Sequence, residues 1–143
     1  MKQLYHFTSI ERWELIEATG HLRTTESNLS ATKECAGKNV VWLTTDHDCV
    51  HGHGLRNSLD GTDKTRVRIE VALPNNSVHK YQAWAIRNGI NPQWMKRLVE
   101  TAGGGVATWR VTERPITSDR WTEVIDLQTG ERLWPRAAGT PAD

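Results

Sequence analysis

Two short apolar stretches near opposite ends of the chain each hold one residue able to do chemistry. Leu4-Tyr5-His6-Phe7-Thr8 places a histidine at the end of an apolar strand, just before a helix. Trp121-Thr122-Glu123-Val124-Ile125-Asp126 holds the carboxylate of Glu123 between Trp121 and Val124, in a strand that reads as largely buried. A carboxylate in such a place needs a partner or a function. Its plain reading is an ion pair with one of the arginines, or a place on a solvated sheet face. His6 has a plain reading as a structural residue, and Arg68, on the polar side of a third strand, as an exposed or cross-strand ion pair worth little. His6 and Glu123 form one site only if the fold brings their strands together.

A second constellation is Asp46-His47-Asp48-Cys49-Val50-His51-Gly52-His53, which contains half the histidines of the chain. In extended backbone His47, Cys49, His51 and His53 project from one side, and these are suitable zinc ligands. Their tight alternation matches no closed structural zinc site, so a polar loop is preferred to a metal centre. Other motifs fail on their own terms. Gly52-His53-Gly54 opens like a dinucleotide fingerprint but lacks the third glycine and a strand directly before it. Gly37-Lys38-Asn39 lacks the remainder of a phosphate loop, and no Gly-x-Ser-x-Gly element occurs.

The elements that must position these residues follow from periodicity and punctuation. Lys2 to His6 reads as a strand. Ser9 reads as an N-cap to a helix whose buried face carries Ile10, Trp13 and Ile16, closed by Gly20 in a left-handed conformation. Asn39 to Thr44 is rich in β-branched and aromatic residues and predicts a strand. Thr65 to Leu73 alternates, with Val67, Ile69 and Val71 on one side and Arg66, Arg68 and Glu70 on the other. Tyr81, Trp84 and Ala85 predict a short helix ending near Gly89. Asn91-Pro92 predicts the capped start of another, with Met95, Leu98, Val99 and Ala102 as its buried stripe. Ala107 to Val111 and Trp121 to Ile125 are closing strands, and Gln128-Thr129-Gly130 predicts a turn into a terminal hairpin. Helices that cluster between strands without strict alternation predict an α+β domain.

Composition bounds the rest. A chain of 143 residues predicts one domain, here 1–134, with 135–143 as a flexible tail. A net charge of +1 gives no global pull toward nucleic acid or anionic membrane, although 18 lysines and arginines leave room for a local patch. Two cysteines, Cys35 and Cys49, make no disulfide framework. No apolar run approaches the roughly 20 residues of a membrane span, and the first residues lack the basic region and apolar core expected of a signal peptide. These features predict a soluble cytoplasmic protein. Seven tryptophans against one phenylalanine predict core filling, with one or two left to line a cleft for a flat ligand.

The opening Leu4-Tyr5-His6-Phe7-Thr8, the helix with Ile10, Trp13, Leu15 and Ile16, and the turn Gly20-His21-Leu22 resemble the ADP-ribosyltransferase-like superfamily. The likeness is to small bacterial and phage members, including DNA-modifying toxins. Val40-Val41-Trp42-Leu43-Thr44-Thr45 is similar to their second core strand, and Trp121-Thr122-Glu123-Val124-Ile125 to the late strand with the catalytic glutamate. The resemblance runs in order from about residue 2 to residue 126, through short motifs separated by unmatched sequence. It implies two small antiparallel sheets splayed around a cleft for NAD+ as co-substrate. It implies that His6 contacts a ribose hydroxyl, that the backbone of Phe7 meets the nicotinamide amide, and that Thr8, Thr44 and Thr45 lie near the nicotinamide. It implies Arg68 as the pyrophosphate ligand, since a guanidinium fork suits phosphate, and Glu123 as the catalytic carboxylate. Trp121 stands where arginine-modifying members carry a second acid, which favours a nucleic-acid or other macromolecular acceptor. The expected activity is mono-ADP-ribosyl transfer from NAD+. Two alternatives stand beside it: a non-catalytic nucleotide- or partner-binding module, as in phage–host conflict, and a metal-dependent hydrolase built on the His47–His53 loop.

Overall fold

The computed structural model describes residues 1–24, 39–48, 63–102 and 105–135. The elements in chain order are β1 (Lys2–Thr8), α1 (Ile10–Thr19), β2 (His21–Leu22), β3 (Val41–Thr44), β4 (Val67–Leu73) and β5 (His79–Lys80). They continue with α2 (Tyr81–Arg87), α3 (Pro92–Ala102), β6 (Trp109–Thr112), β7 (Ile116–Thr117), β8 (Trp121–Asp126) and β9 (Arg132–Trp134). The class is α+β, as the sequence predicts. Seven strands form one sheet in the order β5-β6-β3-β1-β4-β8-β9, and β2 with β7 forms a separate ribbon. Every pairing is antiparallel.

Local chemistry sets the element ends. Ser9 caps α1 by accepting the Arg12 N–H at 3.2 Å, and Gly20 closes it at φ 79°, donating to the Ile16 carbonyl at 2.8 Å. That φ suits glycine, which lacks the Cβ that makes the left-handed region costly. Asn91 caps α3 through its side-chain oxygen on the Trp94 N–H at 3.0 Å. The terminal hairpin forms as expected, β8 pairing with β9.

Each sheet face has its own apolar cluster. On one face Leu4, Val41, Leu43, Val67, Ile69, Val71 and Val124 pack with Trp13 and Ile16 of α1. On the other, Tyr81 and Trp84 of α2 and Trp94 of α3 pack on Trp109 and Val111 of β6, with Trp42 at the margin. The tryptophans divide between the two clusters, so core filling accounts for them. Trp94 is the buried tryptophan of α3, while Met95 and Leu98, which the stripe placed at its centre, are only half-buried. Truncating a buried aromatic of this size costs about 3–5 kcal/mol.

Two departures from simple alternation shape the molecule. The first is Arg66, expected beside Arg68. It lies just before β4 and grips Asp126 with two hydrogen bonds, Nε to Oδ1 at 3.2 Å and NH2 to Oδ2 at 2.9 Å. That fork, together with the backbone N–H of Gln128, holds the buried Asp126 carboxyl below its ordinary pKa against the opposing effect of desolvation. The second is a bulge in β8: Val71 stands opposite Trp121 and Glu70 opposite Glu123, so Thr122 is the extra residue. Trp121 therefore enters the α1-side core while Glu123, two positions on, emerges on the other face.

One joint of the sheet is weak. β1 matches β4 along all seven of its residues, from Lys2↔Leu73 to Thr8↔Val67, but meets β3 at one registered pair, Tyr5↔Thr44. The expectation of two small splayed sheets thus meets a continuous seven-stranded sheet whose two parts are joined narrowly at β1 and β3.

Candidate functional site

Pairing fixes which side chains share a face, because registered partners point the same way and neighbours along a strand alternate. Tyr5 pairs with Glu70 and with Thr44, Phe7 with Arg68, and Glu70 with Glu123. Tyr5, Phe7, Thr44, Arg68, Glu70, Glu123 and Ile125 therefore stand on one face. It is the face that carries α2 and α3, but none of the residues of the α2–α3 cluster comes from β1, β4 or β8. Tyr5, Arg68, Glu70, Glu123 and Ile125 are half-buried there.

Among the described residues, the polar side chains on this part of the face have few partners. Arg68 donates to the His47 carbonyl at 3.3 Å and places its guanidinium carbon 5.9 Å from the centre of the Tyr5 ring. The His47 ring meets Tyr5 edge-on, with centroids 5.0 Å apart, and its Nδ1 lies 2.7 Å from Asp48 Oδ1. Glu70 accepts a hydrogen bond from Thr122 Oγ1 at 2.5 Å. Desolvation, reinforced by the Glu70 charge, raises the Tyr5 pKa, with Arg68 acting in the opposite sense. Glu123 has no hydrogen bond or ion pair among the described residues. Of the two plain readings of Glu123, the arginine pair is taken instead by Asp126, which leaves the place on a sheet face, and Arg68 engages no carboxylate among the described residues.

His6 is elsewhere. It pairs with Ile69, whose side chain is in the α1-side core, so it stands on the face opposite Glu123. Its Nδ1 lies 2.7 Å from the Trp42 carbonyl. A carbonyl only accepts, so Nδ1 carries the proton and Nε2 is bare in the neutral ring. This bond spans β1 and β3 where their backbone ladder has stopped. Desolvation lowers the His6 pKa, the Trp42 carbonyl opposes that, and the nearby Arg12 charge adds to it.

The residues proposed from the sequence thus divide. The side chains of Phe7, Thr44, Arg68 and Glu123 share the open face; His6 and Thr8 point to the other. Thr44 is buried, bonded to Thr108 Oγ1 at 2.8 Å and accepting the Asp46 N–H at 3.0 Å. Thr45 is exposed past the end of β3, its N–H donating to the Thr108 carbonyl at 3.0 Å. Tyr5, Glu70 and His47 complete the face and were not singled out for it. Tyr5 and Glu70 are one strand position from His6 and two from Arg68, but which positions face each other depends on register, which the sequence does not state.

Of the histidine loop, His47 and Asp48 are described, while Cys49, His51 and His53 lie outside the described residues. Among the described residues no group of three or more His, Cys, Asp or Glu side chains is placed to hold a metal ion. None of the described helices is long and apolar enough to cross a membrane. Comparison of the chain with protein-family models, curated proteins and solved structures gives no match.

Proposed function

We propose that the protein is an NAD+-dependent mono-ADP-ribosyltransferase working on the open face around Glu123. The observation that carries the reading is the half-buried Glu123 carboxylate, unpartnered among the described residues and aimed by the β8 bulge onto the face that also holds Arg68. As the bond from ribose to nicotinamide breaks, positive charge develops on the ribose, and a fixed carboxylate beside it lowers the barrier. Arg68, not committed to a described carboxylate, offers its fork to the pyrophosphate. The Tyr5 ring, beside Arg68 and across β4 from Glu123, offers a flat apolar surface.

The open face changes two roles: Thr8, like His6, points behind the sheet from Glu123 and does not line the same face as the glutamate. His6 belongs to the joint: its Nδ1–H donates a hydrogen bond to the Trp42 carbonyl and its ring is behind the sheet from Glu123. We assign it to holding β1 against β3, and leave the ribose to Glu123. The acceptor is macromolecular, nucleic acid being the favoured class because no acid stands two residues before Glu123, where Trp121 is turned into the α1-side core.

The test is nicotinamide release from NAD+ by the purified protein. Wild type is expected to release it, and Glu123→Ala to slow release at least a hundredfold while remaining folded, with a cooperative melt. Tight NAD+ binding by calorimetry without release would make the protein a binding module instead. Neither binding nor release would remove the reading altogether.

A further inference from the structure

The open face holds a second ionisable pair that bond breaking at Glu123 does not use. His47 lies three residues past the end of β3 and is fixed at three points. Its Nδ1 lies 2.7 Å from Asp48 Oδ1, its ring is edge-on to Tyr5 with centroids 5.0 Å apart, and its carbonyl takes the Arg68 guanidinium at 3.3 Å. A carboxylate only accepts hydrogen bonds when ionised, so Asp48 fixes the proton on Nδ1 and leaves Nε2 as a proton acceptor. Both side chains are exposed, at 48 % for His47 and 74 % for Asp48, so an acceptor molecule has access to the ring. Tyr5 stands in the same cross-strand row as Glu70 and Glu123, two strands from the latter, so the pair and the carboxylate flank one face.

From this geometry we infer that His47 is the general base that deprotonates the acceptor, with Asp48 as the residue that positions it. The inference rests on the ADP-ribosyl transfer proposed above and narrows its acceptor. In the step, the bond between ribose C1′ and the nicotinamide nitrogen breaks, its electron pair leaving with nicotinamide. A bond forms between C1′ and an acceptor oxygen or nitrogen, and the acceptor's proton passes to His47 Nε2 and then to solvent. A base is needed when the acceptor is a neutral O–H or N–H group, such as a hydroxyl or the ring N–H or amide of a nucleobase. It is not needed for an anion that has no proton to lose.

That difference supplies the experiment. The full chain is incubated with NAD+ in buffered water containing sodium azide, and the products ADP-ribose and ADP-ribosyl azide are separated and counted. Water must be deprotonated to attack; azide need not be. His47→Gln is expected to raise the azide-to-water product ratio at least tenfold, within the range that general bases contribute. Asp48→Asn is expected to raise it by a smaller factor. The ratio is independent of how much of each variant is folded, so a merely structural role for His47 would leave it unmoved. A ratio equal to that of wild type in His47→Gln overturns the inference while leaving the transferase reading intact. Failure of wild type to release nicotinamide under these conditions overturns both.

Discussion

One face of the sheet is two different surfaces. Over β5, β6 and β3 it is covered by α2 and α3 and filled with rings: Tyr81 lies 4.7 Å from Trp42 and 5.6 Å from Trp109, centroid to centroid. Over β1, β4 and β8 the same face carries Tyr5, Arg68, Glu70 and Glu123, half-buried, with two carboxylates on registered partners. Like charges directly opposite each other in a sheet are destabilising. The first surface is built by packing; the second, on the function proposed above, gives up stability for a site. The division falls at β3 and β1, where the ladder is one registered pair deep and the His6 side chain carries the connection.

The comparison is broken most severely from the covered side. Trp84 is almost fully buried at 2 % exposure, and its indole N–H donates to Glu113 at 3.2 Å. Trp84→Ala is expected to cost about 3–5 kcal/mol, measured as a fall in the urea midpoint with an unchanged slope. Tyr5→Ala, on the open side, is expected to cost well under half as much. Equal costs would mean that the two surfaces contribute alike to the core and that the open one is no site.

The joint between the surfaces gives the next largest effect, and it depends on pH. Burial lowers the His6 pKa in the folded protein below the unfolded value of about 6.5. The unfolded chain then binds the proton more readily, so acid favours unfolding. The neutral ring's contribution is fully present above the unfolded pKa and is lost as pH falls through the lower, folded value. Wild type is therefore expected to lose stability between pH 7.5 and pH 5, and His6→Gln to start lower and show a flatter slope over that window. Denaturant melts at several pH values check this. An unchanged slope in His6→Gln would detach His6 from the joint.

How much of this was legible in the sequence follows from what each signal encodes. Ser9, Gly20 and Asn91 state helix ends by local chemistry, and they do so correctly because capping needs only a few consecutive residues. The alternation of Val67, Ile69 and Val71 states which side of β4 is buried. Nothing local states register. The β8 bulge adds Thr122 to one strand and so puts Trp121 in a core and Glu123 on the opposite face from His6. By plain alternation Trp121 and Glu123 would point the same way. The pairing of His6 with Glu123 as one site was thus a long-range statement made from local signals, and the long-range part is where it separates. Arg66 shows the same limit at a strand end, where alternation stops applying and a carboxylate sixty residues on takes the side chain.

The smallest effect is the sharpest test of the open surface. If Glu70 and Glu123 repel across β4 and β8, removing either charge relieves the other. Glu70→Gln and Glu123→Gln are each expected to stabilise the protein by about 0.5 kcal/mol, and the double variant by little more than either, because the repulsion is a single shared interaction. High salt should shrink the gain, since both side chains are half-buried and reachable by counterions. On the proposed function the activity is expected to run the other way: Glu123→Gln should gain stability and lose nicotinamide release. A residue kept only for packing would lose both or neither. Additive gains in the double variant would mean that the two carboxylates do not feel each other, and the open face would then hold two separate surface charges.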